Sequence, residues 1–406
     1  MTRNYRQSGH SAHGARHFSR GRRQGGYSRT HTPRRNASHG DHINHARFVN
    51  KAVITEEVEV FTPEHRFTDF HINESIKTNI ANKGYITPTP IQDRAIPHVL
   101  RGEDIVGVAN TGTGKTGAFL IPLIDKVLRD KSECVLIMVP TRELAQQIEE
   151  EFWGFASHLR IGAVSCVGGA NINRQIATLR RDPHFVIGTP GRLKDLVARR
   201  AINLSRFRTV VLDEADRMLD MGFIADMKYL LALIPEVRHT LFFSATLSRE
   251  IESLIGTFLK NPTRISVKTS DTAESVEQDI VRTSGKNKID VLHDLLIQPE
   301  FKKVLIFGRT KHGVEKLSKL LVARGFKASS IHGNKSQSQR ERALAQFKRD
   351  HITILVATDV AARGIDVEGI SHVINYEIPT TFDDYVHRIG RTGRAGKRGM
   401  ALTFVE

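Results

Sequence analysis

Residues 105–120 read IVGVANTGTGKTGAFL, and this stretch decides the fold. The apolar run over residues 104–109 is typical of a buried parallel strand, and the apolar spacing of residues 115–128 predicts a helix. A glycine-rich turn ending in Gly114-Lys115-Thr116 joins them. A strand, a glycine turn and a helix in this order are the context that a phosphate-binding loop requires.

The residues of this turn have predicted roles at a triphosphate. Glycine allows backbone N–H groups to face the phosphates at the helix N-terminus, Lys115 reaches the β- and γ-phosphates, and the Thr116 hydroxyl is a predicted Mg²⁺ ligand. The predicted ATP-binding loop comprises Ala109, Asn110, Thr111, Gly112, Thr113, Gly114, Lys115 and Thr116.

Two other interpretations of the turn remain open at this point. Residues 112–117 also satisfy the dinucleotide-binding pattern G-x-G-x-x-G. That pattern needs an acidic residue at the end of the next strand, about 20 residues on, whereas Asp125 and Asp130 fall on or just past the predicted helix. The second alternative is a glycine-rich loop that binds no ligand.

The composition predicts a two-domain protein in a reducing compartment. A chain of 406 residues is long enough for two hydrophobic cores plus appendages. No run approaches the 18 or more apolar residues of a membrane span, and no signal-peptide core appears near the start. Cys134 and Cys166 lack metal-ligand spacing and lie in apolar runs, so buried free thiols are expected. We therefore expect a cytoplasmic protein.

The basic charge is concentrated at the amino-terminal end. The net charge is +16, and residues 1–50 hold ten Arg, no Lys and one acidic residue, which gives +9. Almost no aliphatic residues occur there, so this segment is predicted to be a disordered tail. Arginine interleaved with Tyr5, Phe18 and Tyr27 suits single-stranded nucleic acid; a tail that only improves solubility is the alternative.

Beyond residue 67, short apolar runs alternate with helical patterns, which predicts right-handed βαβ units and parallel sheets covered on both faces. The predicted strands of the first half are 104–109, 134–140, 163–167, 184–188, 209–213 and 239–244. A small polar stretch around residues 266–275 predicts a linker. Strands are then predicted at 278–282, 303–307, 328–331, 353–357, 372–376 and 401–405.

The two halves resemble one another in sequence. VLIMVPTRELAQQIEEEF from Val135 and VLIFGRTKHGVEKLSKLL from Val304 share a strand, a turn with threonine and a helix, but only the first half has a phosphate loop. We therefore expect a nucleotide in the crevice between two related α/β domains. The predicted boundaries are a tail at 1–50, domain one at 51–265, a linker at 266–277 and domain two at 278–406.

Residues 210–216, VVLDEAD, form an apolar strand that ends in carboxylates. Ligands bind at the carboxyl ends of parallel strands. Asp213 is therefore a predicted Mg²⁺ ligand, and Glu214 is predicted to orient or deprotonate the attacking water. An acidic surface turn is the alternative, disfavoured after so apolar a strand.

Because Asp213-Glu214-Ala215-Asp216 spells DEAD, the chain resembles a DEAD-box ATP-dependent RNA helicase over about residues 65–406. The resemblance implies two tandem RecA-like domains and explains Ala109, since the family's loop has the form AxTGxGKT. It also implies that Gln92, within GY…PTPIQ, reads the adenine edge and that Phe67 stacks on the base. An amide suits adenine because it presents both a donor and an acceptor; a helix-entry turn with a surface Gln is the alternative.

The resemblance assigns further residues to RNA and to coupling. Ser244 and Thr246 would couple the phosphate site to domain closure, with His387 in domain two. The implied RNA contacts of domain one are Thr141, Arg142, Gly168, Gly169, Thr189, Pro190, Gly191 and Arg192. Independently, Thr189 is a predicted helix cap before Pro190, which would leave N–H groups and Arg192 to meet a phosphate.

Domain two is expected to complete both sites. The implied RNA contacts are Thr310, Arg340 with Gln337, and Thr358. By the same resemblance Asp366 would reach the ribose, and Arg391 and Arg394 would reach the γ-phosphate. A basic helix end in solvent accounts for one arginine but not for two placed three residues apart.

These expectations combine into one functional hypothesis. The predicted protein is a monomeric RNA-stimulated ATPase that uses Mg²⁺, binds single-stranded and duplex RNA with little sequence specificity, and acts on RNA duplexes or ribonucleoproteins. A non-catalytic RNA-binding scaffold and a DNA-translocating helicase are the rival classes. The sequence names neither the RNA nor the pathway.

Overall fold

The structure, a computed structural model, describes residues 48–49, 61–110, 112–267, 276–362, 367–393 and 398–405. Thr111, Asp366 and Arg394 lie outside the described residues, as do residues 268–275 of the predicted linker and all of the predicted tail except Phe48 and Val49. In the described ranges, no helix is long and apolar enough to cross a membrane.

Domain one, residues 61–267, contains a parallel seven-stranded sheet in the order β3-β4-β2-β5-β6-β1-β7. Its strands are β1 Ile105–Ala109, β2 Val135–Met138, β3 Ala163–Cys166, β4 Phe185–Gly188, β5 Thr209–Leu212, β6 His239–Ser244 and β7 Thr263–Val267. Its helices are α1 Glu74–Asn82, α2 Pro90–Leu100, α3 Lys115–Arg129, α4 Arg142–Phe155, α5 Ile172–Leu179, α6 Pro190–Ala198, α7 Ala215–Asp220, α8 Ile224–Ala232 and α9 Arg249–Phe258.

Domain two, residues 276–405, contains a parallel six-stranded sheet in the order β10-β11-β9-β12-β13-β8. Its strands are β8 Val276–Arg282, β9 Val304–Phe307, β10 Ala328–Ile331, β11 Ile354–Ala357, β12 His372–Asn375 and β13 Gly399–Val405. Its helices are α10 Lys288–Leu296, α11 Lys311–Ala323, α12 Gln337–Lys348, α13 Asp359–Ala362 and α14 Phe382–Ile389. The predicted α/β class with two parallel-sheet domains is confirmed.

Hydrophobic cores lie on both faces of each sheet, which is why interior strands such as β2, β5 and β9 are continuous apolar runs rather than alternating ones. On β2, Ile137 packs into the core on one face of the sheet and Leu136 packs into the core on the opposite face, because successive side chains of a strand point to opposite faces. The sequence VLIM of β2 is accordingly buried throughout.

The structure adds one strand that sequence reasoning missed. β7 lies at the edge of the first sheet, paired only with β1, and only Ile265 and Val267 of its five residues are buried. Such a strand lacks the continuous apolar run by which its neighbours were predicted. β7 and β8 also extend two residues into each end of the predicted linker 266–277.

The predicted likeness of the two halves is confirmed at the level of elements. β2 leads to Thr141, which caps α4 through its side chain, and β9 leads to Thr310, which caps α11 in the same way. In each case the threonine hydroxyl accepts a helix N–H, from Leu144 at 3.2 Å and from Gly313 at 3.0 Å. A cap of this kind fixes where the helix starts.

Candidate nucleotide and RNA sites

The strand order of domain one brings the three nucleotide motifs to one edge. β6 pairs with β1 on one side and with β5 on the other. The phosphate loop follows β1, Asp213 follows β5, and Ser244 ends β6. Since all three strands are parallel, their carboxyl ends lie side by side, and the motifs meet although they are separated along the chain.

The phosphate loop turns sharply at Gly114. Gly114 has φ +92°, in the left-handed region that favours glycine, and α3 begins at the next residue. A Cβ there would lie 2.7 Å from Gln92 Nε2, so glycine is required for packing as well as for the turn. Lys115 is 6% exposed, and its Nζ donates to the Ala109 carbonyl at 2.8 Å. The Lys115 side chain thus links the end of the loop to its start at Ala109.

Gln92 is joined directly to the phosphate loop. Its Nε2 donates to the Gly114 carbonyl at 3.0 Å, and its Oε1 accepts the Thr89 N–H at 3.0 Å. A primary amide has two N–H donors and two acceptor lone pairs, so these bonds leave one of each for a base edge. Phe67 is 5% exposed and packs edge-on against Phe70 and Tyr85 with ring centroids 6.1 Å apart in both pairs.

The carboxylates after β5 are buried and strained. Burial raises the pKa of Asp213 to about 6, with the Lys115 ammonium opposing the shift and Glu214 adding to it. Glu214 has φ +52°, a backbone conformation that non-glycine residues rarely adopt and that costs about 1–3 kcal/mol. Its carboxylate pairs with Arg217, whose Nη1 lies 3.1 Å from Glu214 Oε2. Both side chains are almost fully buried, so this pair determines where the Glu214 carboxylate points.

Asp216 connects the carboxylate strand to the turn after β6. Its Oδ2 accepts the Ala245 N–H at 3.0 Å, the Thr246 N–H at 2.9 Å and the Thr246 hydroxyl at 3.1 Å. Ser244 Oγ accepts the Asp216 N–H at 3.3 Å and donates to the Thr246 carbonyl at 2.8 Å. A displacement of either turn therefore acts on the other.

The residues present fit the predicted Mg²⁺. Mg²⁺ in nucleotide sites takes one or two protein oxygens, and phosphates and waters complete its shell. Among the described residues there is no group of three acidic, His or Cys side chains that could hold a metal unaided. The Thr116 hydroxyl and the buried Asp213 carboxylate are hard oxygen donors of the kind this ion prefers, and the carboxylate is already close to the positive charge of Lys115.

Among the residues of domain one that are predicted to contact RNA, the Arg142 guanidinium lies next to Gly168 and Gly169. A Cβ on Gly169 would be 1.9 Å from Arg142 Nη1, whereas a Cβ on Gly168 would be 3.4 Å from Nη2. Gly169 also has φ +75°. Glycine at 169 is therefore what lets the first-turn arginine of α4 occupy this position.

The predicted start of α6 at Thr189 and Pro190 is confirmed, but the Thr189 side chain does not form the capping hydrogen bond. Thr189 is the N-cap residue of α6 and Pro190 follows it, but the Thr189 hydroxyl makes no capping hydrogen bond. The Arg192 N–H, which a capping hydroxyl would accept, donates instead to the Thr189 carbonyl at 3.0 Å. Arg192 Nη1 donates to Gln175 Oε1 at 2.7 Å, so the guanidinium itself is held in place. Gly191 is exposed and has open space around its Cα.

α12 of domain two meets α4 of domain one. Arg340 Nη2 lies 2.6 Å from Glu143 Oε1, and both side chains are largely buried. Gln337 Nε2 donates to Gln146 Oε1 at 3.0 Å, and Gln146 also contacts Glu341. These contacts join the two predicted RNA-binding surfaces.

Three arginines from both domains converge at this junction. Burial lowers the pKa of Arg142, and the nearby positive charges of Arg340 and Arg192 lower it further, with Glu143 opposing. Burial also raises the pKa of Glu143, and Arg340 opposes that shift. Like charges gathered in this way are stabilised by an anion, and a phosphate backbone is the anion that the sequence predicts.

In domain two, Arg388 organises the region around α14. It donates to both Asp359 oxygens, at 2.5 and 2.8 Å, and to Asn375 Oδ1 at 3.1 Å. Asp359 begins α13 just after β11, so this pair, in which Arg388 is buried and Asp359 is partly exposed, joins the end of β11 to α14. A small pocket here is lined by Phe307, Asp359, Ala362, Asp384, His387, Arg388 and Arg391. Two of the predicted residues, His387 and Arg391, thus lie together.

Four residues with structural roles at these sites were not predicted. They are Asp216, Arg217, Glu143 and Arg388, and each forms an ion pair or a hydrogen-bond network at a predicted site residue. Glu143 and Asp216 stand inside sequences quoted above, Arg217 directly follows the DEAD turn and Arg388 directly follows His387, so proximity in sequence was the available signal. Asp216, Glu143 and Arg388 have partners on other turns or elements, which local patterns do not reveal, whereas Arg217 pairs with Glu214 three residues before it.

Comparison with protein families supports the same organisation. Residues 89–254 match the DEAD/DEAH box helicase model, and residues 287–396 match the helicase conserved C-terminal domain model. The chain is 45% identical over 341 residues to the DEAD-box ATP-dependent RNA helicase CshA of Bacillus cereus, a match that covers 84% of this chain and 65% of that protein. It is 44% identical over 344 residues to the ATP-dependent RNA helicase CshA of Limosilactobacillus reuteri, covering 84% and 69%.

Solved structures agree on the fold. S. cerevisiae Dbp5 bound to RNA and ADP BeF3 superposes with a TM-score of 0.74 at 29% identity, covering 84% of this chain and 89% of that one. Mss116p bound to ssRNA and AMP-PNP gives a TM-score of 0.74 at 29% identity, covering 82% and 72%. The two parallel-sheet domains are therefore RecA-like, and the chain belongs to the DEAD-box family of superfamily 2 helicases.

Proposed function

We propose that this chain is an RNA-stimulated ATPase that locally unwinds or remodels RNA. The observation that carries the proposal is the network after β5. Asp213 and Glu214 lie beside the phosphate loop, and Asp216 of the same turn holds the 244–246 turn through three hydrogen bonds. A nucleotide-dependent shift of the carboxylates would be transmitted to the neighbouring strand, which is what coupling of hydrolysis to domain closure requires.

In this proposal the hydrolytic roles are divided between the domains. Lys115 holds the β- and γ-phosphates, and Glu214 orients and deprotonates the attacking water. Thr116 and Asp213 would hold Mg²⁺, which neutralises charge on the phosphates when bound. Arg391 and Arg394 of domain two would stabilise the charge that develops on the γ-phosphate.

Base recognition would use residues at the edge of domain one. Gln92 has an unused donor and acceptor for the adenine edge, and Phe67 supplies an aromatic ring. Asp366 would bind the ribose. Gln92 also donates a hydrogen bond to the Gly114 carbonyl. A movement of Gln92 on base binding would therefore displace the phosphate loop.

The RNA would bind across both domains at the arginine junction. Arg142, Arg192 and Arg340 would neutralise consecutive phosphates, with the N–H of exposed Gly191 as a further donor and Thr141, Thr310 and Thr358 nearby. Contacts of this kind read backbone and 2′-hydroxyl groups, so little sequence specificity is expected. The relatives Dbp5 and Mss116p, solved with RNA and ATP analogues, support the proposal.

The remaining parts of the proposal concern the state of the protein in the cell. We infer a monomer acting on single-stranded RNA, duplexes and ribonucleoproteins. The two cysteines are buried free thiols, and burial raises the pKa of Cys166 to about 12, so neither is a reactive thiolate. This is compatible with a cytoplasmic protein.

The test is ATP turnover by the full chain with single-stranded RNA, with DNA of the same sequence and with no nucleic acid. We expect strong stimulation by RNA and little by DNA. Equal stimulation by DNA would favour a DNA translocase instead. RNA binding without any turnover would favour a scaffold.

A further inference from the structure

Phe48 precedes domain one in the chain but packs into domain two. Its side chain is fully buried, in a cluster with Val276 of β8, Ala401 of β13, and Tyr385 and Ile389 of α14. The neighbouring residue Val49 is 49% exposed. Of the two residues that the structure describes in this part of the chain, Phe48 therefore makes the buried contact.

The site that receives Phe48 is held rigidly by domain two. The Phe48 and Tyr385 ring centroids lie 4.7 Å apart at an interplanar angle of 50°, an attractive aromatic geometry. The Tyr385 hydroxyl donates to Gln278 Oε1 at 2.9 Å, which ties α14 to β8. Tyr385 is itself 1% exposed, so the ring that receives Phe48 is part of a closed apolar cluster.

Phe48 lies on a different side of α14 from the predicted nucleotide residues. Tyr385 and Ile389 are four residues apart and so share one face of the helix. Arg388 and His387 line the pocket with Asp359 on another face. Phe48 thus packs on one face of α14, and it does not line the pocket on the other face.

We propose that Phe48 is an intramolecular anchor that docks the amino-terminal segment onto α14 of domain two. All ten arginines of the first fifty residues precede Phe48 in the chain, so this anchor would attach the basic segment at domain two, although domain one follows it in sequence. The anchor also makes a second connection between the domains, besides residues 268–275. From Phe48 to residue 61, the chain spans at most about 45 Å, so an anchored protein keeps its domains at high effective concentration.

The test is hydrogen–deuterium exchange of the full chain, read on peptides that cover α14 and β13. Phe48→Ala should speed exchange there at least about threefold, because local opening no longer has to expel the ring. Val49→Ala is the matched control and should leave exchange unchanged. Phe48→Leu, which keeps apolar volume, should give an intermediate value. Equal exchange in Phe48→Ala and the unchanged protein would overturn the anchor.

A second measurement separates an intramolecular anchor from exchange between copies. Protection of α14 should be the same when the protein is diluted about a hundredfold, because intramolecular contacts do not depend on concentration. Protection that is lost on dilution would show that a second copy supplies Phe48, and would overturn the proposal. Neither measurement requires ATP turnover, so the outcome is independent of the proposed function.

Discussion

The residue Glu214 combines a strained backbone with a fixed side chain. Its φ of +52° is uncommon for a residue with a Cβ, and the Arg217 guanidinium holds its carboxylate at 3.1 Å. Strain of this kind persists only where surrounding contacts enforce it, and it is concentrated at functional sites. The proposed role of Glu214, to act on the attacking water, is placed at such a position.

Glu214→Gln tests this role directly. The amide keeps the size of the side chain but cannot accept a proton, so kcat should fall by about two orders of magnitude or more. ATP and RNA binding should persist, measured by fluorescence titration. A variant with near-normal turnover at saturating RNA would contradict the assignment.

Gly169 offers a second test at the same scale. Gly169→Ala adds a Cβ 1.9 Å from the Arg142 guanidinium in a left-handed conformation, so the arginine must move. Loss of one charged hydrogen bond should raise the RNA concentration for half-maximal ATPase activity about tenfold or more. Gly168→Ala is the graded control, because its Cβ would be 3.4 Å from Arg142, and its effect should be much smaller.

Between elements, the contact of α4 with α12 determines how the two domains meet. The Glu143–Arg340 pair is almost fully buried. Breaking a buried ion pair is far more costly than losing an exposed one, because the remaining charge stays desolvated. Here the remaining charge can be hydrated if the domains separate, so the cost should appear as domain opening rather than unfolding.

A charge exchange tests the contact between these two helices. Arg340→Glu would set two carboxylates together and should shift the closing equilibrium toward open by about ten- to a hundredfold. The readout is the radius of gyration from small-angle scattering, with RNA and a non-hydrolysable ATP analogue present. The double variant Glu143→Arg with Arg340→Glu should recover compactness relative to the single variant. If both variants were equally expanded, the pair would not control closure.

For the whole molecule, the excess of basic charge at the amino-terminal end predicts a tether for RNA. Removing residues 1–42 deletes nine of the ten arginines and keeps Phe48. If roughly four to six phosphates are engaged, the slope of log K against log salt should flatten by roughly 3 to 4. The RNA concentration for half-maximal turnover should rise while maximal kcat changes little, since no proposed catalytic residue precedes Phe67.

A tail of equal length with these nine arginines replaced by glutamine is the matched control for this deletion. It should behave like the deletion if charge is what binds RNA. If the tail only improves solubility, both variants should keep the salt slope of the full chain. RNA titrations at two salt concentrations distinguish these outcomes.

Local patterns were sufficient for much of this protein. The phosphate loop, the DEAD turn and twelve of the strands could be predicted because each depends on a few consecutive residues: apolar runs for buried strands, and glycine for positive φ at Gly114. The parallel orientation of the strands followed from the alternation of strands and helices. These are short-range determinants, so the sequence by itself was enough.

Tertiary structure alone decided the contacts that join distant parts of the chain. The pairing of Glu143 with Arg340, the docking of Phe48 onto α14 and the edge strand β7 depend on which surfaces the chain topology brings together. Thr189 is the N-cap residue of α6 as predicted, but its carbonyl rather than its hydroxyl accepts the Arg192 N–H. No local pattern encodes such choices, because their free energy comes from burial between residues that are far apart in sequence.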